Sequence, residues 1–172
     1  HLTAPAAFMA ADALERLGRV EAAGQAYGRL AEGGLAAIAD EALLRLAQLA
    51  ERQEDLAGAL RHYSRVIDRA AEPSVRGQAL LGRGRTHYRN YQFEAAIRDL
   101  SRVEETGAAG ADEAAYLRML ALYGTGADAE AARLCDDFFQ RHAQSPLLPE
   151  AALWRAQYAY NQKAFEEAET RF

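Results

Sequence analysis

A single cysteine, Cys135, leaves this 172-residue chain without an internal disulfide or a thiolate-held metal centre. Lysine is nearly missing: of the twenty basic residues all but Lys163 are arginine, and no run of them forms a basic block. With a net charge of −5, the cationic surface that releases counterions from nucleic-acid phosphates is not provided. No apolar run approaches the roughly 18 residues of a membrane span, and the first residues lack the layout of a signal peptide. Alternating Val, Ile and Thr are absent, which excludes a β protein. The four prolines fall at the edges of the periodic stretches, so helices run unbroken between them.

Catalytic constellations are missing as well. The histidines His1, His62, His87 and His142 have neither HExxH spacing nor a second ligand nearby. Gly82-Arg83-Gly84-Arg85 lacks the lysine and the preceding strand of a phosphate loop. The acidic pairs Asp136-Asp137 and Glu104-Glu105 read as solvated helix faces. The chain is expected to be no enzyme and to hold no metal or cofactor.

What the chain has is alanine at a fixed interval. Ala23, Ala59, Ala96, Ala131 and Ala168 recur at spacings of 36, 37, 35 and 37 residues. Each period splits into two amphipathic helices, A then B. The A helices are predicted over 4–17, 36–52, 75–90, 111–124 and 147–162, and the B helices over 20–32, 55–70, 93–106, 128–142 and from 165 onward. Gly18, Gly124 and Gly126 break the chain within repeats; Gly33-Gly34, Pro73-Ser74, Gly107, Gly110, Pro146 and Pro149 break it between them. Small residues at Ala11, Ala47, Gly84 and Ala156 precede the periodic alanines by twelve and let paired helices approach closely. Tyr27, Tyr63, Leu100 and Phe172 follow by four, and Leu30, Val66, Val103 and Phe138 by seven, completing one buried stripe. The fourth copy departs, with Met119 in place of a small residue and Cys135 in place of the aromatic.

A unit of this length cannot bury its own apolar face and must stack on its neighbours. The chain is therefore expected to be an all-α, right-handed solenoid of antiparallel helix pairs with about ten helices. It forms one domain, with repeats over 4–34, 35–73, 74–110, 111–146 and 147–172, the last incomplete. Because the last B helix stops at Phe172, the chain reads as a piece of a larger repeat protein whose exposed end stacks on another copy.

The small residue in helix A, the early alanine of helix B, the aromatic a turn later and the closing proline resemble the tetratricopeptide repeat (TPR) family over nearly the whole chain. The segment Phe138-Phe139-Gln140-Arg141-His142-Ala143-Gln144-Ser145-Pro146, followed by Glu150-Ala151-Ala152-Leu153-Trp154, is similar to a bacterial envelope subgroup. That subgroup includes the Tol-Pal coordinator and outer-membrane assembly lipoproteins; Ala143 stands where those proteins usually place proline. The resemblance implies a non-catalytic scaffold in a bacterium, tilted towards the periplasm, that binds a peptide or protein partner in a groove lined by A helices. The alternative is a self-association or spacer region of a larger envelope or regulatory protein.

Projection of the A helices onto that groove yields the candidate partner-binding residues Arg45, Arg52, Arg85, Tyr88, Arg89, Tyr116, Tyr123, Trp154 and Tyr160. Tyr88, Tyr123 and Tyr160 share one register position and are expected to form an aromatic ladder along the rim. Tyrosine and tryptophan bury large rigid area while keeping a polar handle, so an apolar ligand side chain belongs at this end. An acidic ligand group belongs with the arginines. Two readings stay open: the tyrosines line the groove or pack between A helices, and the arginines meet a ligand or are neutralised by Glu41 and Glu51. The family's lysine/asparagine carboxylate clamp is missing, since its equivalents here are Phe8, Asp12, Arg45, Gln78 and Gly82. Tails of the EEVD type are not expected to bind.

Overall fold

The computed structural model describes residues 3–33, 35–106 and 109–162. Nine helices follow one another in this span: α1 (Ala4–Arg16), α2 (Val20–Ala31), α3 (Ala36–Arg52), α4 (Leu56–Arg69), α5 (Pro73–Arg89), α6 (Phe93–Thr106), α7 (Ala111–Gly124), α8 (Asp128–Arg141) and α9 (Leu148–Asn161). No strand occurs among the described residues. The expected ends hold to within two residues. The largest difference is at α5, which starts at Pro73 because proline is tolerated in the first turn, where its missing N–H has no partner to lose. The tenth helix expected from 165, and the stacking end at Phe172, lie outside the described residues.

Each helix packs on the next, and α1 also touches α3, α3 touches α5, and α5 touches α7. Successive B helices make no comparable contact among the described residues. A stack held more closely on one side bends towards it, so the A helices line the inner face and the B helices the outer one.

Small residues set how close the helices come. Ala11, Ala23, Ala47, Ala59, Ala96, Ala131 and Ala156 are fully buried. A Cβ on Gly84 would lie 2.8 Å from Leu100, so α5 and α6 cross at this distance only around glycine. In the fourth repeat Met119 and Cys135 are both buried in one cluster.

Two apolar clusters share α7. Ala114 and Ala121 face a core running back to α1, while Ala115, Met119 and Leu122 face a second core with α8 and α9; Ile97 touches both. Helix α9 packs less extensively on α8 than other successive helices pack on each other. The connection over 142–147 is longer than those over 32–35, 70–72 and 107–110, so it holds the pair less tightly.

One backbone feature repeats in every described turn from helix A to helix B. The residue five before the periodic alanine is left-handed: Gly18 (φ 72°), Glu54 (62°), Tyr91 (56°) and Gly126 (81°). Glycine takes this conformation freely, whereas an L side chain there is strained by about 1–2 kcal/mol. Glu54→Gly should raise stability by about 0.5–1 kcal/mol once glycine's extra freedom in the unfolded chain is set against that strain. A higher urea midpoint at unchanged m-value is the expected readout.

Candidate functional site

The last turn of each A helix carries one residue eight before the periodic alanine. In chain order these are Glu15, Glu51, Tyr88, Tyr123 and Tyr160. The tyrosine ladder is thus the second half of a column whose first half is acidic. Four residues after the alanine, on the paired B helix, stand Tyr27, Tyr63, Leu100 and Cys135. Where this partner is tyrosine, it binds the glutamate: the Tyr27 hydroxyl donates to Glu15 Oε2 at 2.9 Å and that of Tyr63 to Glu51 Oε2 at 2.8 Å. Burial and then the adjacent carboxylate push both phenols above their ordinary range. Where the partner is Leu100 or Cys135, no hydroxyl needs an acceptor, and the column position is taken by an aromatic ring. Reading tyrosine spacing alone missed this exchange; comparing the two columns repeat by repeat would have found it.

The arginines complete the acidic half. Arg85 donates from Nε to Glu51 Oε1 at 2.7 Å and from Nη2 to Glu51 Oε2 at 3.1 Å. Its Nη1 reaches Glu113 Oε1 at 2.7 Å, so one side chain ties α3, α5 and α7 together. The hydrogen bonds to Glu51 hold this guanidinium above its usual pKa against the opposing effect of burial. Arg52 pairs with Glu15 of the preceding A helix. Arg89 lies 3.9 Å from Glu51 and 3.8 Å from Glu54, and Arg45 lies 3.6 Å from Glu41. Gln48, Glu51, Arg52, Arg85 and Arg89 enclose a small open pocket on the inner face. Around it, Arg52, Arg85 and Arg89 meet Glu15, Glu51, Glu54 and Glu113, so the network carries no excess of positive charge.

The aromatic residues divide into two sets. Tyr88 is half-buried with its ring 5.8 Å from Phe93, and its hydroxyl is pushed up in pKa by burial and then by Tyr91. Tyr116 is half-buried 6.3 Å from Phe138, and its hydroxyl is pushed up in pKa by burial and then by Glu150 and Tyr88. Both rings rest on a phenylalanine of the neighbouring B helix. Tyr123, by contrast, is 44% exposed and meets Trp154 edge-on at 5.5 Å. Trp154 in turn stacks on Tyr158 at 5.6 Å, a third ring that the groove projection did not include, one helical turn further on. Leu153 and Tyr160 are 57% and 56% exposed on the same helix. The structure therefore brings Tyr123 and Trp154 together, and sets Tyr88 and Tyr116 apart from them.

No group of three or more His, Cys, Asp and Glu side chains placed to hold a metal ion occurs among the described residues. No described helix is long and apolar enough to cross a membrane.

No protein-family model matches the chain, and no curated protein matches it in sequence. Solved structures do match in fold. MamA from residue 41 to its end, from Desulfovibrio magneticus RS-1, superposes with a TM-score of 0.82 at 16% identity, covering 98% of this chain and 90% of that one. A tetratricopeptide repeat protein from Parabacteroides merdae ATCC 43184 gives 0.81 at 16% identity, covering 98% and 63%. YrrB, described as a TPR protein with an unusual peptide-binding site, gives 0.77 at 18% identity, covering 98% and 82%. At these identities the likeness is one of fold: the chain is an all-α solenoid of the TPR type.

Proposed function

We propose that this TPR-fold chain is a non-catalytic scaffold that holds a peptide, or a segment of a partner protein, along its inner face. The observation that carries the reading is the α7–α9 end of the chain, where exposed Tyr123 meets Trp154 and where Leu153 and Tyr160 are exposed on the same helix as Trp154. Rigid aromatic rings grouped at the surface are favoured anchors for a ligand's apolar side chains. The fold likeness to a peptide-binding TPR protein supports this use of the inner face, although fold alone never names a ligand. At the other end, a ligand carboxylate at Arg89 or Arg85 competes with Glu54 and Glu113. That end contributes orientation more than affinity.

Selection of a displayed random-peptide library on the protein tests the reading. Aromatic or aliphatic residues should be enriched. Tyr123→Ala should weaken the selected peptides by about 2 kcal/mol, roughly thirtyfold, as expected for an anchor at an interface centre. Arg52→Ala should weaken them only several-fold, in keeping with an exposed ion pair. Selected peptides that bind Tyr123→Ala and Trp154→Ala as well as the parent protein would refute the assignment.

A further inference from the structure

Across the inner face and the helix crossings, the chain supplies most of its arginines with carboxylates. Arg45, Arg52, Arg85 and Arg89 have them in the groove, Arg69 has Asp40, Arg83 has Asp99 and Arg155 has Asp136. The outer face is different. Two and six residues after the periodic alanines stand Arg61 and Arg65 on α4, and Arg98 and Arg102 on α6. Arg29 on α2 takes the second of these positions and Arg133 on α8 the first, with Gln25 and Asp137 at the remaining two. All six are exposed, and none has a carboxylate within 4 Å among the described residues.

The arrangement is regular. On one helix, residues four apart stand about 6 Å from each other. Packed helices lie about 8–10 Å apart, and these outer helices stand no closer, so the six arginines form a band crossing α2 to α8 over at least about 30 Å. Glu32, Asp68, Glu94, Glu130 and Asp137 stand three or four residues from an arginine of the band without pairing to it, and Asp68 instead adds its field to that of Asp99 at Arg83. His62 lies between Arg61 and Arg65; burial and then these two guanidiniums hold its pKa below the ordinary histidine value. Like charges four residues apart destabilise a helix.

We propose that this outer arginine band is a docking surface for a short acidic segment of a partner protein, laid across the B helices. Guanidinium forks match carboxylates in paired, parallel hydrogen bonds. A band of this length spans about nine extended residues. A long nucleic acid would meet the repulsion of a chain whose net charge is −5. A flat anionic membrane would touch an outward-bent face along only one or two helices. The inference is independent of the inner-face reading, because it uses the opposite side of the solenoid.

The test is titration of the whole protein with a capped nona-glutamate peptide at low ionic strength, read by fluorescence anisotropy. Saturable binding should weaken at least about tenfold on reaching physiological salt, as exposed charge pairs are screened. The variant Arg61→Gln/Arg65→Gln/Arg98→Gln/Arg102→Gln, shown by circular dichroism to keep its helices, should bind at least about tenfold more weakly. Tyr123→Ala and Arg52→Gln/Arg89→Gln, which alter the inner face, should bind like the parent. Parallel titrations use vesicles containing phosphatidylserine and a single-stranded oligonucleotide. Absence of peptide binding, an unaffected quadruple variant, loss with the inner-face variants instead, or tighter binding to vesicle or oligonucleotide would each overturn the proposal.

Discussion

Replacing Glu51 by alanine should remove about 3 kcal/mol of stability, the largest effect expected from any single polar substitution in this chain. Glu51 is 7% exposed at the end of α3, yet it accepts the Tyr63 hydroxyl and two bonds from Arg85. Truncation leaves a buried phenol and one edge of a guanidinium without acceptors where water reaches poorly. Breaking a buried pair by removing one partner typically costs about 3–5 kcal/mol. The lower end applies here, because the Arg85 side chain is about one-third exposed and retains Glu113. Chemical denaturation followed by circular dichroism reads the change directly. Glu51→Gln, which keeps the shape and one acceptor for Tyr63, should lose less than half as much. A Glu51→Ala protein with the parental midpoint would show that the network straddling α3, α5 and α7 contributes nothing to holding the stack.

Gly82→Ala should also destabilise, by about 2 kcal/mol, where helix propensity alone favours alanine by about 1 kcal/mol. A Cβ at Gly82 would sit 2.2 Å from Tyr63 Cζ and 2.5 Å from its hydroxyl oxygen. The ring passes over this glycine to reach Glu51, so either it gives up that hydrogen bond or α5 withdraws from α4. Overpacking of about 1–3 kcal/mol and a lost bond of about 1 kcal/mol outweigh the propensity gain. Gly24 in α2 is the control: a Cβ there meets nothing within 4 Å, so the same substitution should stabilise. Thermal unfolding of the two variants should shift in opposite directions. If Gly82→Ala melts higher than the parent, Tyr63 does not need the space. Because both destabilising changes act on Tyr63, the Glu51→Ala/Gly82→Ala double variant should lose less than the sum of the two.

Much of this architecture was legible in the chain because helical faces are written locally. Residues at i, i+4 and i+7 share one side of one helix whatever lies beyond it, so the alanine period and its large partners sufficed to place nine helices within two residues. Tyr123 and Trp154 could each be named from the helical projection, but their edge-on contact could not. The outer arginine positions could equally be counted along the chain; that no carboxylate of the described residues closes to within 4 Å of them could not.

Pairing between helices was decided only by the tertiary structure. Arg52 takes a glutamate 37 residues earlier, Arg85 divides itself between Glu51 and Glu113, and Tyr116 rests on Phe138. The left-handed turns at Glu54 and Tyr91, where glycine serves in the first and fourth repeats, carry no local signal either. The physical reason is the same throughout. Register along a helix follows from backbone geometry, whereas the choice of partner depends on separations across repeats and on side-chain torsions, which no window of neighbouring residues specifies.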